Sequence, residues 1–313
     1  MQERPLGRTG LKVSEVGFGA WAIGGNAFGN SYGPTDDAIS VAAVRRAVEL
    51  GCTFFDTADV YGWGHSERLL GEALKDHRDE VHIATKVGGD FYHGGVQLNF
   101  DPSYIRFALD RSLERLRTDH VDLYQLHNPP PEMFGDPDAY AVLDDLKAEN
   151  KILHYGVSVH EPLEALMAIE VGNPEAIQVP FSLFRQEWIE EVLPAAKKHG
   201  VGVIAREPLG NGFLTGKYRG GEAFVQGDIR AHWPPGMRRA RAQAAEQFSF
   251  LVGGDTKTLA QAALRYVLSF DAVSTTIPGI KTPAQADEDL AASGGRLSNP
   301  QLARCADLYA SLR

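Results

Sequence analysis

Short apolar runs alternate with longer amphipathic stretches along almost the whole chain, and this rhythm limits the fold more than any single motif. The runs that predict strands are Val16–Ala20, Thr53–Asp56, Val81–Lys86, Val121–His127, His154–Ser158, Ala176–Val179, Gly202–Arg206 and Val273–Ile277. Between them the spacing predicts helices such as Asp37–Leu50, Ser66–Leu74, Pro102–Leu116, Ala139–Glu149, Pro162–Ile169 and Glu187–His199. In the third of these, Ile105, Leu109, Ser112, Leu113 and Leu116 recur three or four apart, as in a helix with one buried stripe. The strands are short and mostly apolar on both faces, as parallel strands covered by helices must be. Eight such alternations on short connections favour a closed (β/α)8 TIM barrel over an open doubly wound sheet.

At 313 residues the chain is long enough for two domains, yet no linker or low-complexity stretch divides it, and residues 1–313 read as a single barrel domain. Two regions break the alternation. Arg4–Leu6, the turn Gly7–Gly10 and Lys12–Ser14 predict a β-hairpin covering one barrel end. Gly210–Pro235 is a long loop rich in Gly and Pro after the seventh strand, and loops of that length are usually functional. Against 31 Lys plus Arg stand 41 Asp plus Glu, a net charge of -10 that repels phosphate backbones. Nucleic acid and anionic membrane are therefore not expected partners, although a local basic pocket for a small phosphorylated ligand remains open. Cys52 and Cys305 lie far apart and outside any metal-ligand spacing, which predicts no metal and reduced thiols in a cytoplasmic protein. Met1–Ser14 is polar, without the apolar core of a signal peptide, and no apolar run reaches membrane-span length. The oligomeric state is not legible.

Chemistry in such barrels gathers where strands end. The second predicted strand ends at Asp56, and its loop carries Tyr61; the third ends at Lys86 and the fourth at His127. Singly, each has an ordinary reading: a helix cap, surface packing, a solvated strand end, a structural histidine. Jointly, neighbouring strands deliver an acid, a phenol, an amine and an imidazole to one rim.

The segments Gly51–Ala58 with Tyr61-Gly62-Trp63-Gly64-His65-Ser66-Glu67 belong to a wider pattern. With Val121–His127, Gly156-Val157-Ser158, Pro208-Leu209-Gly210, Phe213–Lys217 and Ile277-Pro278-Gly279, they make the chain resemble the aldo-keto reductase superfamily nearly end to end. The resemblance implies a catalytic tetrad of Asp56, Tyr61, Lys86 and His127, and a nicotinamide dinucleotide bound without a Rossmann fold. Consistently, Gly17-Phe18-Gly19 continues into Ala20-Trp21 and lacks the dinucleotide fingerprint. Carbonyl reduction needs a hydride on carbon and a proton on oxygen. Tyr61 suits the proton donor, its pKa brought down from about 10 by Lys86, with Asp56 keeping Lys86 charged and His127 donating to the substrate oxygen.

For the cofactor, Thr282, Pro283 and Gln285 make a capping box that needs no ligand to explain it. Gly279 and Lys281, just before it, add a close backbone approach and a cation. The resemblance places Lys281 on the adenosine 2′-phosphate, favouring NADP(H) with NAD(H) possible, and Gln285, Glu288 and Asp289 on the adenosine. It places Lys217 on the pyrophosphate, Ser158 and Gln178 on the carboxamide, and Arg206 on the nicotinamide ring. Ala20, Trp21, Asp56, Pro208, Leu209 and Gly212 complete the implied cofactor contacts. Trp21 and Trp63 would wall the substrate beside Tyr61 and His127. Three positions depart from the family's habit: Val159 and Asp289 stand where Asn is frequent, and Arg206 replaces an aromatic ring. The charge of Arg206 would disfavour the oxidised ring unless Glu207 compensates.

The expected activity is reversible reduction of aldehydes and ketones with NADP(H). An NAD-dependent sugar or polyol dehydrogenase of this fold and a non-catalytic cofactor-binding regulatory subunit stand as alternatives. A barrel hydrolase using Asp56 and Asp59 would have no use for Tyr61, Lys86 and His127 together. The substrate depends on loops Gly24–Pro34, Gly88–Phe100, Asn128–Pro137 and Gly210–Pro235, whose apolar groups include Phe28, Phe91, Tyr92, Phe134, Phe213 and Trp233. Arg230 and His232 are left between ligand contact and solvent.

Overall fold

The structure, a computed structural model, describes residues 1–28 and 31–312. An antiparallel hairpin, β1 (Glu3–Pro5) and β2 (Lys12–Ser14), precedes the barrel. The barrel strands are β3 (Phe18–Gly19), β4 (Phe54–Asp56), β5 (His82–Val87), β8 (Val121–His127), β9 (Ile152–Ser158), β10 (Ala176–Pro180), β11 (Gly202–Arg206) and β12 (Val273–Ile277). A small antiparallel pair, β6 (Gly89–Asp90) and β7 (Gln97–Leu98), stands in the loop after β5. The eight barrel strands are all parallel and ordered as in the sequence, β3-β4-β5-β8-β9-β10-β11-β12.

Parallel bridges Val16 to Thr276 and Gly19 to Gly279 close the seam between β3 and β12. Gly19 makes that closure possible, because a Cβ there would lie 2.7 Å from the carbonyl oxygens of both Ile277 and Pro278. The first strand is accordingly shorter than Val16–Ala20, since regular pairing is confined to Phe18–Gly19.

Side chains alternate across each strand. Phe54, Ala84, Leu123, Ala176 and Ile204 point inward, where Leu6 and Val13 of the hairpin region pack with them as an apolar plug. Two residues further along the same strands, the same register carries Asp56, Lys86, Gln125 and Gln178 inward, and His127 follows two beyond Gln125. The intervening residues Phe55, Ile83, Tyr124 and Ile177 face the helices and join the larger core. A dry lower layer and a polar layer at the strand ends thus follow from strand periodicity alone.

The helices run Asp37–Glu49, His65–Leu74, Pro102–Leu116, Pro137–Ala148, Pro162–Met167, Val192–His199, Pro235–Gln247, Leu259–Leu268, Pro283–Leu290 and Asn299–Leu312. Two differ from the periodicity reading. The fifth widens into a π turn over Ala168–Gly172, closed by left-handed Asn173, and the sixth begins at Val192 because 187–191 form turns.

Candidate active site

Asp56, Lys86 and His127 stand at the ends of β4, β5 and β8, and Tyr61 reaches them from the loop after β4. That loop turns sharply through Gly62, whose φ is +60° and whose Cβ would lie 2.1 Å from the Gly24 carbonyl oxygen. Only glycine permits the approach, and the chain then enters helix His65–Leu74. Lys86 Nζ donates to Asp56 Oδ1 at 2.6 Å, to the Thr57 carbonyl at 2.7 Å and to the Tyr61 hydroxyl at 3.2 Å. Three donors therefore meet three acceptors around a fully buried ammonium. The His127 ring stands edge-on to Tyr61 with centroids 5.8 Å apart.

The sequence reading missed the support beneath this cluster. Gln178 Nε2 donates to Asp56 Oδ2 at 2.7 Å, and Gln125 Nε2 donates to the same oxygen at 3.2 Å. Asp56 thus has both oxygens engaged, one by the ammonium and one by two buried amides. The available signal was Gln125 itself, a polar residue inside an apolar strand and two positions before His127, hence on the same face.

Burial works against the charge on Lys86, but Asp56 and then Tyr61 outweigh it and hold its pKa above the ordinary lysine value. Burial raises the Tyr61 phenol; Lys86 opposes this and Asp56 reinforces it, and the result lies above the ordinary value. Lys86 acts on the phenol in the expected direction, but desolvation outweighs it, so the phenol does not fall below its usual range as the sequence suggests. Burial, then Lys86 and Arg206, hold His127 well below the usual histidine range, so it is a neutral imidazole with one N–H to give. Asp59 is buried, its Oδ1 accepts from the Val60 main-chain N–H at 2.6 Å, and burial with Glu67 raises its pKa well above the usual carboxylate range against Arg115 and Lys86.

A cleft of about 390 Å³ opens beside this cluster, between the loop after β11 and the helix after β12. Pro208, Leu209, Gly212, Lys217, Gly279, Lys281, Gln285, Glu288 and Asp289 all line it. The capping interaction is present in shifted form: Thr282 Oγ1 accepts from Gln285 N at 3.3 Å, while Gln285 Oε1 accepts from Lys281 N at 2.7 Å. Lys281 Nζ donates to the Tyr32 carbonyl at 2.8 Å. Arg230, left undecided by sequence, also lines the cleft, held by Asp228 at 2.6 Å and packed between the rings of Tyr32, Tyr218 and Phe224. Lys217, Arg230 and Lys281 share the cleft with Glu207, Glu288 and Asp289, and the three cations offer seats for a phosphate-bearing ligand.

Ala20, Trp21, Asp56, Ser158, Gln178 and Arg206 are not walls of that cleft: Asp56, Ser158 and Arg206 end their strands, Gln178 lies within β10, and Ala20 and Trp21 sit in the 3-10 turn after β3. Trp21 bridges the two regions, 4.5 Å from the Tyr32 ring and 6.5 Å from Tyr61. Ser158 Oγ reaches Asn128 Oδ1 at 3.5 Å. Arg206 pairs with Glu207 and donates to the Val159 carbonyl at 3.1 Å, so the compensating carboxylate is in place. Phe28, Trp63 and Phe91 stack in sequence, 4.9 and 5.8 Å between rings, so three loops build one aromatic wall. Phe134 and Phe213, read as loop groups, are buried in the core instead. Gly29 and Asn30 of the first loop lie outside the described residues. Among the described residues no group of His, Cys, Asp and Glu is arranged to hold a metal, and no helix is long and apolar enough to cross a membrane.

The model of the Aldo/keto reductase family matches residues 15–310. Aldo-keto reductase YhdN of Bacillus subtilis (strain 168) is 32% identical over 292 residues, 91% of this chain and 86% of that protein. The NADH-specific methylglyoxal reductase of Escherichia coli (strain K12) is 31% identical over 315 residues, 96% of this chain and 95% of its own length. The solved structure of a glycerol dehydrogenase from Gluconobacter oxydans matches with a TM-score of 0.84 at 31% identity, over 99% of this chain and 95% of that one. The chain belongs to the aldo/keto reductase family, oxidoreductases that act on the carbonyl and alcohol groups of small molecules with nicotinamide cofactors.

Proposed function

We propose that this protein interconverts aldehydes or ketones with alcohols using NADP(H), with Tyr61 as the acid and base. The observation that carries the reading is the buried Lys86 ammonium shared between Asp56 Oδ1 and the Tyr61 hydroxyl. The bound dinucleotide supplies the hydride that no side chain can. Its anionic groups would be held by Lys217, Arg230 and Lys281, its adenosine by Gln285, Glu288 and Asp289, and its carboxamide by Ser158 and Gln178.

His127, as a neutral donor, fixes the substrate carbonyl oxygen next to the Tyr61 hydroxyl. Tyr61 is held protonated by burial, so its proton is available when negative charge develops on that oxygen. The phenolate left behind lies against Lys86, and Asp56 keeps Lys86 from surrendering its own charge to the phenolate. The proton lost by Tyr61 is then recovered from water at the mouth. In the oxidation direction the same phenolate removes the alcohol proton. Trp21 and the Phe28–Trp63–Phe91 wall favour substrates with an apolar body beside the carbonyl.

NAD(H) is the second reading, supported by the relative named as NADH-specific. Lys281 favours the phosphorylated form, since its ammonium borders the cleft and, among the described residues, hydrogen-bonds only to main-chain carbonyls. The test is Tyr61→Phe assayed on a panel of aldehydes, ketones and sugars with both reduced cofactors. Turnover is expected to fall by about a hundredfold or more while cofactor affinity stays near wild type. Retained turnover would remove Tyr61 from the chemistry.

A further inference from the structure

Asp289 closes one side of the cleft on helix Pro283–Leu290 and is only 3% exposed. Its carboxyl makes no hydrogen bond and no ion pair among the described residues. Every nearby cation is engaged elsewhere or stands off. Arg46, on the packed helix Asp37–Glu49, pairs with Glu49 and Asp287. Arg265, on helix Leu259–Leu268, pairs with Asp255. Arg230 is held by Asp228, and Lys281 by main-chain carbonyls. Lys217, from the loop after β11, acts on Asp289 only through space, and Glu288 beside it adds repulsion. Among the described residues this carboxyl has no protein donor, and what little surface it keeps is turned to a ligand cleft, so its ionised form is poorly compensated.

We propose that Asp289 serves as a neutral carboxylic acid that reads the purine edge of the dinucleotide through two hydrogen bonds, and that cofactor affinity falls when this acid ionises. The proposal rests on reading the cleft as a dinucleotide site. A neutral carboxyl presents an acceptor and a donor side by side: its C=O takes an N–H of the exocyclic amine while its O–H is given to the adjacent ring nitrogen. An asparagine offers the same pair at every pH. An ionised aspartate keeps the acceptor, loses the donor and sets its charge against the ring nitrogen's lone pair. Burial first, then Glu288, raise this carboxyl to about 8, with Lys217 opposing, which puts the change of state within reach of ordinary buffers.

The test is titration of the full chain with NADPH and with NADH from pH 6.5 to 9.5, followed by fluorescence, for wild type and Asp289→Asn. Wild-type dissociation constants for both cofactors should rise about tenfold between pH 7 and pH 9, while those of the variant stay level. NADH lacks the 2′-phosphate, so a slope seen with NADPH alone belongs to Lys281 and overturns the proposal. A slope shared by wild type and variant also overturns it, as does a level wild-type curve. Calorimetry on wild type alone, in two buffers of different ionisation enthalpy at pH 8.5, should report uptake of most of one proton on binding; no uptake refutes the proposal even if the variant fails to fold. Failure to bind either cofactor at pH 6.5 refutes the dinucleotide reading itself, and the proposal with it.

Discussion

Replacing Asp56 by Asn separates charge from shape at the centre of the site. Lys86 is 0% and Asp56 2% exposed, and their 2.6 Å contact is the shortest that the ammonium makes. In the variant, burial acts on Lys86 without the carboxylate that opposed it, so the amine's pKa drops below its ordinary value. The single amide oxygen of Asn cannot serve both Lys86 and the two glutamines, which leaves one side of the network without its acceptor. Breaking a buried pair in this way costs about 3–5 kcal/mol, a large part of a typical domain's stability. The pH dependence also changes sign. In wild type the folded pKa of Lys86 lies above its unfolded value, so its contribution is complete below about 10.4 and is lost as pH rises through the folded value. In the variant the folded pKa lies below the unfolded one, the unfolded chain binds more protons between the two, and stability rises with pH. Urea titrations at pH 7 and 9.5 measure both effects, and the gap between the proteins should narrow at the higher pH. A loss under about 1 kcal/mol with parallel pH profiles would refute the claim that the buried pair is the energetic unit of the site.

Lys281→Glu should weaken NADPH by about a hundredfold in dissociation constant and NADH by only a few-fold, measured by fluorescence titration; equal losses would place the 2′-phosphate elsewhere. Gln125→Leu removes one of the two amides that hold Asp56 Oδ2 and should lower kcat by about tenfold with little change in KM. The same change should move the pH profile of turnover upward, because a less stabilised Asp56 draws more on Lys86 and leaves the Tyr61 phenolate less supported. Gln125→Glu, with an oxygen toward Asp56 in place of a donor, should not rescue it; a normal pH profile in Gln125→Leu would reduce Gln125 to packing.

Much of this protein is written along the chain. The alternation of short apolar runs and amphipathic stretches is a local property, so the barrel and the rim positions of Asp56, Lys86 and His127 follow from periods of two and 3.6 residues. The hairpin at Glu3–Ser14 and the cap at Thr282 are equally local, and both are present. What the packed structure alone decided are relations between residues far apart in sequence. Gln178 meets Asp56 across 122 positions and Lys281 meets the Tyr32 carbonyl across 249, and neither distance leaves any periodic trace. Burial is likewise collective, which is why Tyr61 lies above the usual phenol value although its cationic neighbour was foreseeable, and why Asp289 is nearly buried with no partner among the described residues. Residue types and strand register name the groups that can react. Only the enclosure of those groups by the whole barrel sets their protonation, because desolvation depends on every atom that displaces water around them.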